Sequence, residues 1–334
     1  MVTAARHGHL PVIEYHRKHR TPGCIWDAQR TVVEEAALHG HLHILQHLTG
    51  YKRMNKYFTP YMYTCAAKGG HLPIIQWLRV NRRNRVGRRT MDTAAEYGHL
   101  HILQWIDEHC TNMYSKYAAN YAVENGHYDV ARWLVDHKKQ QVSDQSLYSA
   151  VSRGHFKMVK FLLQSRYVSD QELLLSLACA SPSTELVHYL VGKGYKPTKE
   201  ALLRASIWGR LDTFKFLTSY VHPIHDHVSI AAEYGYLDMV QYLHKINPGL
   251  CTTDAADCAA SFGHLDVLQY LMEQCSVDCS DEAMDNATSN DYVDVVRYLY
   301  PKFKTQTSRL IRLASQYSST NVLHFLQEKF TKQE

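Results

Sequence analysis

A chain of 334 residues with 45% hydrophobic and 21% charged content carries enough apolar material for a packed core, which excludes a disordered or collagen-like protein. No run of about 18 apolar residues occurs, and the opening MVTAARHGHL lacks the apolar stretch of a secretory leader, so a soluble cytoplasmic protein away from membranes is expected. The net charge of +5 hides an imbalance: residues 1–90 hold 15 Lys and Arg against 4 Asp and Glu, and the remainder 22 against 28, so the basic end suits acidic partners.

The chain writes one phrase again and again. In "AAEYGHLHILQW" (94–105) and "AAKGGHLPIIQW" (66–77), two apolar helical stretches hinge on Gly-His. With the glycine of AAxxGHL as anchor, equivalent positions fall at Gly8, Gly40, Gly70, Gly98, Gly126, Gly154, Pro182, Gly209, Gly235, Gly263, Asp291 and Ser318, in steps of 26 to 32 residues. A fixed period of this size predicts an all-α solenoid of about twelve stacked helix-turn-helix units, each burying its face only against neighbours. Residues 1–334 are expected to form this single array, with the last unit over about 307–330. The first unit lacks most of its first helix, which suggests that the natural protein starts upstream of Met1.

Within each unit the first helix is announced by a cap seven residues before the first Ala of the phrase: Thr59, Ser115, Ser143, Thr198, Thr252, Ser280 and Thr307, with Ser169 and Glu172 forming a capping box slightly earlier in their own unit. Three residues before that Ala, an apolar side chain (Val33, Tyr63, Met91, Ala119, Leu147, Leu175, Leu202, Val228, Ala256, Met284, Ile311) completes a helical core stripe. The anchor glycine is the expected left-handed C-cap. In the first turn of the second helix, Pro11 and Pro73 need no donor, and Asp129, Asp212, Asp238, Asp266 and Asp294 complement the helix dipole.

The serial phrase AAxxGHLxxLxWL resembles the centre of the ankyrin repeat, in a shortened form of about 28 residues, over essentially the whole chain. The usual T-P-L-H opening is missing; of it only the Leu survives, as the apolar stripe. The resemblance implies an extended array that binds a macromolecule on the concave face lined by its first helices. About six residues remain between one unit and the next cap, so hairpins are expected to be short or absent.

The Gly-His histidines (His9, His41, His71, His99, His127, His155, His264) recur once per unit. At a spacing near 10 Å they are too far apart for shared ligation, and hydrogen bonding between turns is the expectation. The eight cysteines read as reduced thiols. Cys251, Cys258, Cys275 and Cys279 do not match zinc-knuckle spacing, and His222, His225, Asp226 and His227 crowd one connection where Asp226 can serve as a cap. No phosphate loop, dinucleotide fingerprint, nucleophile elbow, zinc-protease or kinase motif occurs, so neither an enzyme nor a cofactor is expected.

Two features suit a partner. "RVNRRNRVGRR" places Arg79, Arg82, Arg83, Arg85, Arg88 and Arg89 in one connection, joined by Arg17, Lys18, Arg20, Lys52, Arg53 and Lys56 in the two before it. This is either a solvated loop or a strip for an acidic protein, an import receptor that would take the chain to the nucleus, or nucleic-acid phosphates. Trp208, Tyr234 and Phe262 precede the anchor in three consecutive units, with Tyr97 and Tyr317 further out, and either pack on the next unit or stand as interface anchors beside Arg204, Ile207 and Glu233. Protein recognition is the first expectation, polyanion binding the second, and a substrate adaptor in a larger complex the third.

Overall fold

The computed structural model describes residues 1–19, 29–82, 86–110, 115–164 and 170–331; among them the protein is all-α, with 24 α-helices and no strand. The chain divides into two compact units, Met1–Val168 and Ser169–Glu334. In the first, helices pair as Val2–Arg6 with Leu10–His19, Gln29–Leu38 with Leu42–Thr49, Tyr61–Gly69 with Leu72–Asn81, Arg88–Glu96 with Leu100–His109, Ala118–Glu124 with Tyr128–Lys138, and Asp144–Ser152 with Phe156–Leu162. In the second, they pair as Gln171–Ala180 with Thr184–Gly192, Lys199–Ile207 with Leu211–Leu217, His225–Glu233 with Leu237–Ile246, Thr253–Ser261 with Leu265–Glu273, Asp281–Ser289 with Val293–Phe303, and Thr307–Gln316 with Thr320–Thr331.

Inside each unit every first helix packs on its own second helix and on the first helix of the next pair. Small side chains allow this: Ala36, Ala37, Ala66, Ala67, Ala94 and Ala95 in the first unit, and Ala231, Ala232, Ala259 and Ala260 in the second, are fully buried. Alanine holds neighbouring helices close without loss of helix propensity. The apolar stripe is core as expected except at its end: Ile311 is half-buried while Leu310 is fully buried, because no further described helix packs beyond the last pair. The second helices bury i, i+1, i+4 sets such as Ile102, Leu103 and Ile106. Among the described residues no helix is long and apolar enough to cross a membrane.

The caps divide. Ser143 and Thr198 accept from the N–H groups of Ser146 (3.2 Å) and Ala201 (3.3 Å), as the pattern requires. Thr252 and Ser280 stand at the cap positions of their helices but bond no helix N–H. Ser280 turns its own N–H to Asp257 (2.8 Å). Thr59 and Ser115 lie before the helix starts at Tyr61 and Ala118, and Ser115 donates to Asp92 (2.6 Å). Thr307 is already inside its helix, against the Tyr300 hydroxyl (3.2 Å). Ser169 lies outside the described residues; Asp170 caps that helix by accepting from Leu173 (2.8 Å).

The hinge between paired helices is constant. Nine anchors are glycine with φ between 61° and 84°, and Asp291 (61°) and Ser318 (58°) hold the same left-handed conformation. The anchor+1 N–H returns to the carbonyl five residues earlier, as from His99 to Ala94 at 2.8 Å, and closes the helix end. Pro182 cannot follow, since its ring fixes φ near −65°. There the chain leaves its helix through Ser181 in extended geometry (φ −73°, ψ 161°), and Ser183 caps the next helix by accepting from Leu186 (3.3 Å).

Ser183 apart, the anchor+1 side chains that follow do not cap their own helix. They lie over the anchor of the preceding pair and donate to the carbonyl two residues before that anchor. His41 reaches Arg6 (2.8 Å), His71 reaches Leu38 (3.0 Å), His99 reaches Lys68 (3.1 Å) and His127 reaches Glu96 (2.8 Å). In the second unit Tyr236 reaches Ile207 (3.3 Å) and His264 reaches Glu233 (2.9 Å), while Arg210 and Ser319, which have no ring, reach Ala180 (3.3 Å) and Ser289 (3.0 Å). These carbonyls belong to the last turn of the first helices, where no intrahelical donor exists. Because a carbonyl only accepts, each imidazole holds its proton on Nε2.

Glycine at the anchor therefore meets two demands. A Cβ added at Gly98 would lie 2.5 Å from Nδ1 of His127, in a left-handed backbone that L-residues adopt at a cost of about 1–2 kcal/mol. Gly98→Ala is expected to destabilise the full chain by about 2 kcal/mol or more, read as a lower urea midpoint. Ser318→Gly, which relieves the same strain where no ring intrudes, is expected to raise the midpoint slightly; equal effects of the two substitutions would contradict the double constraint.

Candidate interaction surface

The turns between paired helices form an edge in each unit, and the side chains on it fall into three sets. The first is the row of donors at anchor+1. Burial holds the imidazoles of His71, His99 and His155 below the ordinary histidine range, an effect that in His71 and His99 outweighs the carbonyl hydrogen bonds acting the other way. His155 departs from the row. Arg153 occupies the Glu124 carbonyl that His155 would reach (2.5 Å), and His155 Nε2 is left buried without a partner. A second set of rings, His43 and His101, donates to the anchor carbonyls of Gly8 and Gly70 (both 3.1 Å).

The second set is the residue just before the anchor, at the C-terminal end of each first helix. Its backbone lies near φ −100°, ψ 0° in Trp208, Tyr234 and Phe262 alike, which turns the side chain outward past the helix end. These three are 54%, 46% and 49% exposed, and Tyr97 and Tyr317 are 39% and 56% exposed. The rings of Tyr234 and Tyr236 stack with centroids 6.0 Å apart. Of the neighbours named from sequence, Arg204 is held by Glu200 (2.8 Å), and Ile207 and Glu233 are half-buried.

The third set was read from sequence only as helix-dipole complements. Three residues past the anchor the second unit carries Glu185, Asp212, Asp238, Asp266 and Asp294, all exposed. Glu185 was missed because Pro182 breaks the phrase. An open groove of about 390 Å³ lies on this edge, lined among others by Gly209, Gly235, Tyr236, Asp238 and Asp266.

Two described members of the arginine cluster, Arg79 and Arg82, are engaged within the protein. Arg79 donates to Cys110 (2.8 Å) and stands over the Trp105 ring at 5.6 Å. Arg82 is half-buried over Phe58 at 4.4 Å and donates to Asn55 (3.2 Å). Arg88 and Arg89 are exposed on the first turn of their helix, where the dipole disfavours cations. Arg83 and Arg85 lie outside the described residues, as do Arg20 and the side chain of Arg17.

The other polar groups do not converge. His225 pairs with Asp226 (2.9 Å), and His227 is buried at the start of the same helix, its pKa lowered by burial. No group of three described His, Cys, Asp or Glu residues has the geometry to hold a metal ion. The described cysteines are free thiols, and burial pushes Cys275 up to about 12 and Cys179 to about 12, so both stay protonated.

Stacked helix pairs with left-handed hinges, a structural donor row and variable outward side chains define a repeat protein. A family model described as ankyrin repeats, three copies, matches residues 91–173 and 228–309, and ankyrin repeats are therefore present over those two stretches. Repeats of this family are characteristically non-catalytic scaffolds for protein–protein contact. No curated protein matches the chain.

Protonating these imidazoles works against folding. His71, His99 and His155 have folded pKa values below the unfolded value of about 6.5, so their neutral forms support the fold fully above that pH, and the support is lost as pH falls through the folded values. Thermal midpoints are expected to drop between pH 7 and pH 5. His99→Gln, which can donate but does not titrate, is expected to flatten that drop; an unchanged slope would count against this role.

Proposed function

We propose that the chain acts as a non-enzymatic recognition scaffold that holds a protein partner through the turn edge and first-helix face of its second unit, with Trp208, Tyr234 and Phe262 as the principal anchors. The observation that carries this reading is their equivalent placement in three successive pairs with about half of each surface open to solvent. Large rings at the end of a rigid helix bury much area for little lost rotamer freedom, which is what interface anchors require. The ankyrin matches support the class of function, and the twelve helix pairs support reading residues 1–334 as one array of about twelve shortened repeats.

Polyanion binding through the basic third ranks second, since Arg79 and Arg82 are engaged within the protein. A cytoplasmic setting and an adaptor role in a larger complex are compatible extensions of the same reading. The test is affinity capture with the full chain. Trp208→Ala, Tyr234→Ala and Phe262→Ala together are expected to lose captured proteins while each shifts stability by no more than about 0.5 kcal/mol, as for exposed side chains. Capture identical to that of the unaltered chain would remove these residues from the interface.

A further inference from the structure

We propose that the occupant of the second unit's turn edge is an extended segment of a partner protein rich in arginine or lysine, with cationic side chains at every third position. This deepens the recognition reading above and rests on it.

Charge supplies the first argument. Glu185, Asp212, Asp238, Asp266 and Asp294 stand at one slot in five successive pairs, all exposed. The single cation paired with them among the described residues is Lys215, at 4.0 Å from Asp212. Helix-dipole complementation explains an acid in a first turn, but it does not explain the run. The same slot in the first unit, with the same fold, holds Pro11, His43, Pro73, His101, Asp129 and Lys157. Only Asp129 is acidic among those six, so the unbroken run of acids is particular to the second unit, which is also where the three consecutive exposed aromatics lie.

The pairing of the two rows supplies the second. A guanidinium or ammonium group bonds a carboxylate and also rests on an aromatic face, and the two attractions act together when the ring and the acid share one turn. Trp208 with Asp212, Tyr234 with Asp238 and Phe262 with Asp266 share turns in this way, four residues apart around the left-handed glycine. The groove lined by Tyr236, Asp238 and Asp266 lies on the same edge and offers room for a backbone between side-chain sites.

Geometry supplies the spacing. Packed helices lie about 8–10 Å apart, and a chain in the extended polyproline II conformation advances roughly 3.1 Å per residue with three residues per turn, so one step of the stack matches three residues of the peptide and every third side chain returns to the same face. Nucleic acid is disfavoured on this edge, because five carboxylates repel phosphate.

The experiment uses the full chain and fluorescence anisotropy at low salt, with a labelled synthetic peptide of Arg-Ser-Gly repeats. Its comparators are a peptide of the same composition with the arginines in one block, a Glu-Ser-Gly peptide and a single-stranded RNA oligonucleotide. The spaced arginine peptide is expected to bind most tightly. Asp238→Asn with Asp266→Asn should weaken it about tenfold, whereas Glu108→Gln with Asp136→Asn, an equal loss of exposed charge in the first unit, should change it less than about twofold. Thermal melts check that each variant stays folded. Equal effects of the two double variants, equal binding of spaced and blocked peptides, or RNA binding at least as tight as the peptide would overturn the proposal. If the peptide does not bind but the triple aromatic variant still loses its captured proteins, the basic-segment proposal falls and the recognition reading stands. If neither effect is seen, both fall.

Discussion

Within each unit the stack depends on one repeated contact: a ring or donor at the start of a second helix reaches back across the anchor, most often glycine, of the pair before it. The glycine has no side chain to obstruct the ring, its left-handed backbone ends the first helix, and the donor satisfies a carbonyl that the ended helix leaves open. The motif is thus a relation between pairs, since the Gly of one copy is matched to the His or Tyr of the next. The exceptions obey the same rule. Pro182 is followed by Arg210 and Asp291 by Ser319, donors without a ring, and Asp291 turns its carboxylate to the Val322 N–H (2.9 Å) and Asn321 of the last helix.

Because the contact is made by anchor and anchor+1, the residue before the anchor is not needed for it and can vary: Trp208, Tyr234, Phe262 and Tyr317 stand in solvent there, whereas Ser181 is buried and Arg153 holds the Glu124 carbonyl. That slot holds His7, His39, Gly69, Tyr97, Asn125 and Arg153 in the first unit, and Ser181, Trp208, Tyr234, Phe262, Asn290 and Tyr317 in the second. A recurring backbone whose side chain varies from step to step is how a repeat fold turns sequence variation into a recognition surface. The exposed aromatics are therefore affordable to the fold, since their replacement leaves the stacking contact untouched.

Charge is distributed in the same spirit but is read less simply. An arginine count in the first 90 residues suggests a strip, yet the folded chain spends Arg79 and Arg82 on aromatic faces and on Cys110 and Asn55 of neighbouring elements. Long guanidinium side chains stabilise such contacts through their flat faces as much as through charge. The acids of the second unit are short, stand at helix starts and remain in solvent.

The period, the core stripe, the glycine hinge and the all-helical class were legible in the sequence because each is a local demand: a helical apolar spacing, a backbone angle that only glycine meets easily, a donor-free first turn. The exposure of Trp208, Tyr234 and Phe262 was not legible, since packing on the next pair and facing solvent need the same residue types. Nor were the idle cap hydroxyls of Thr252 and Ser280, the loss of the His155 bond to Arg153, or the capture of Arg79 and Arg82. Each of these is a competition between donors, or between water and a neighbour, for one partner brought near from a different pair. Which contender wins depends on distances that exist only after the pairs have stacked.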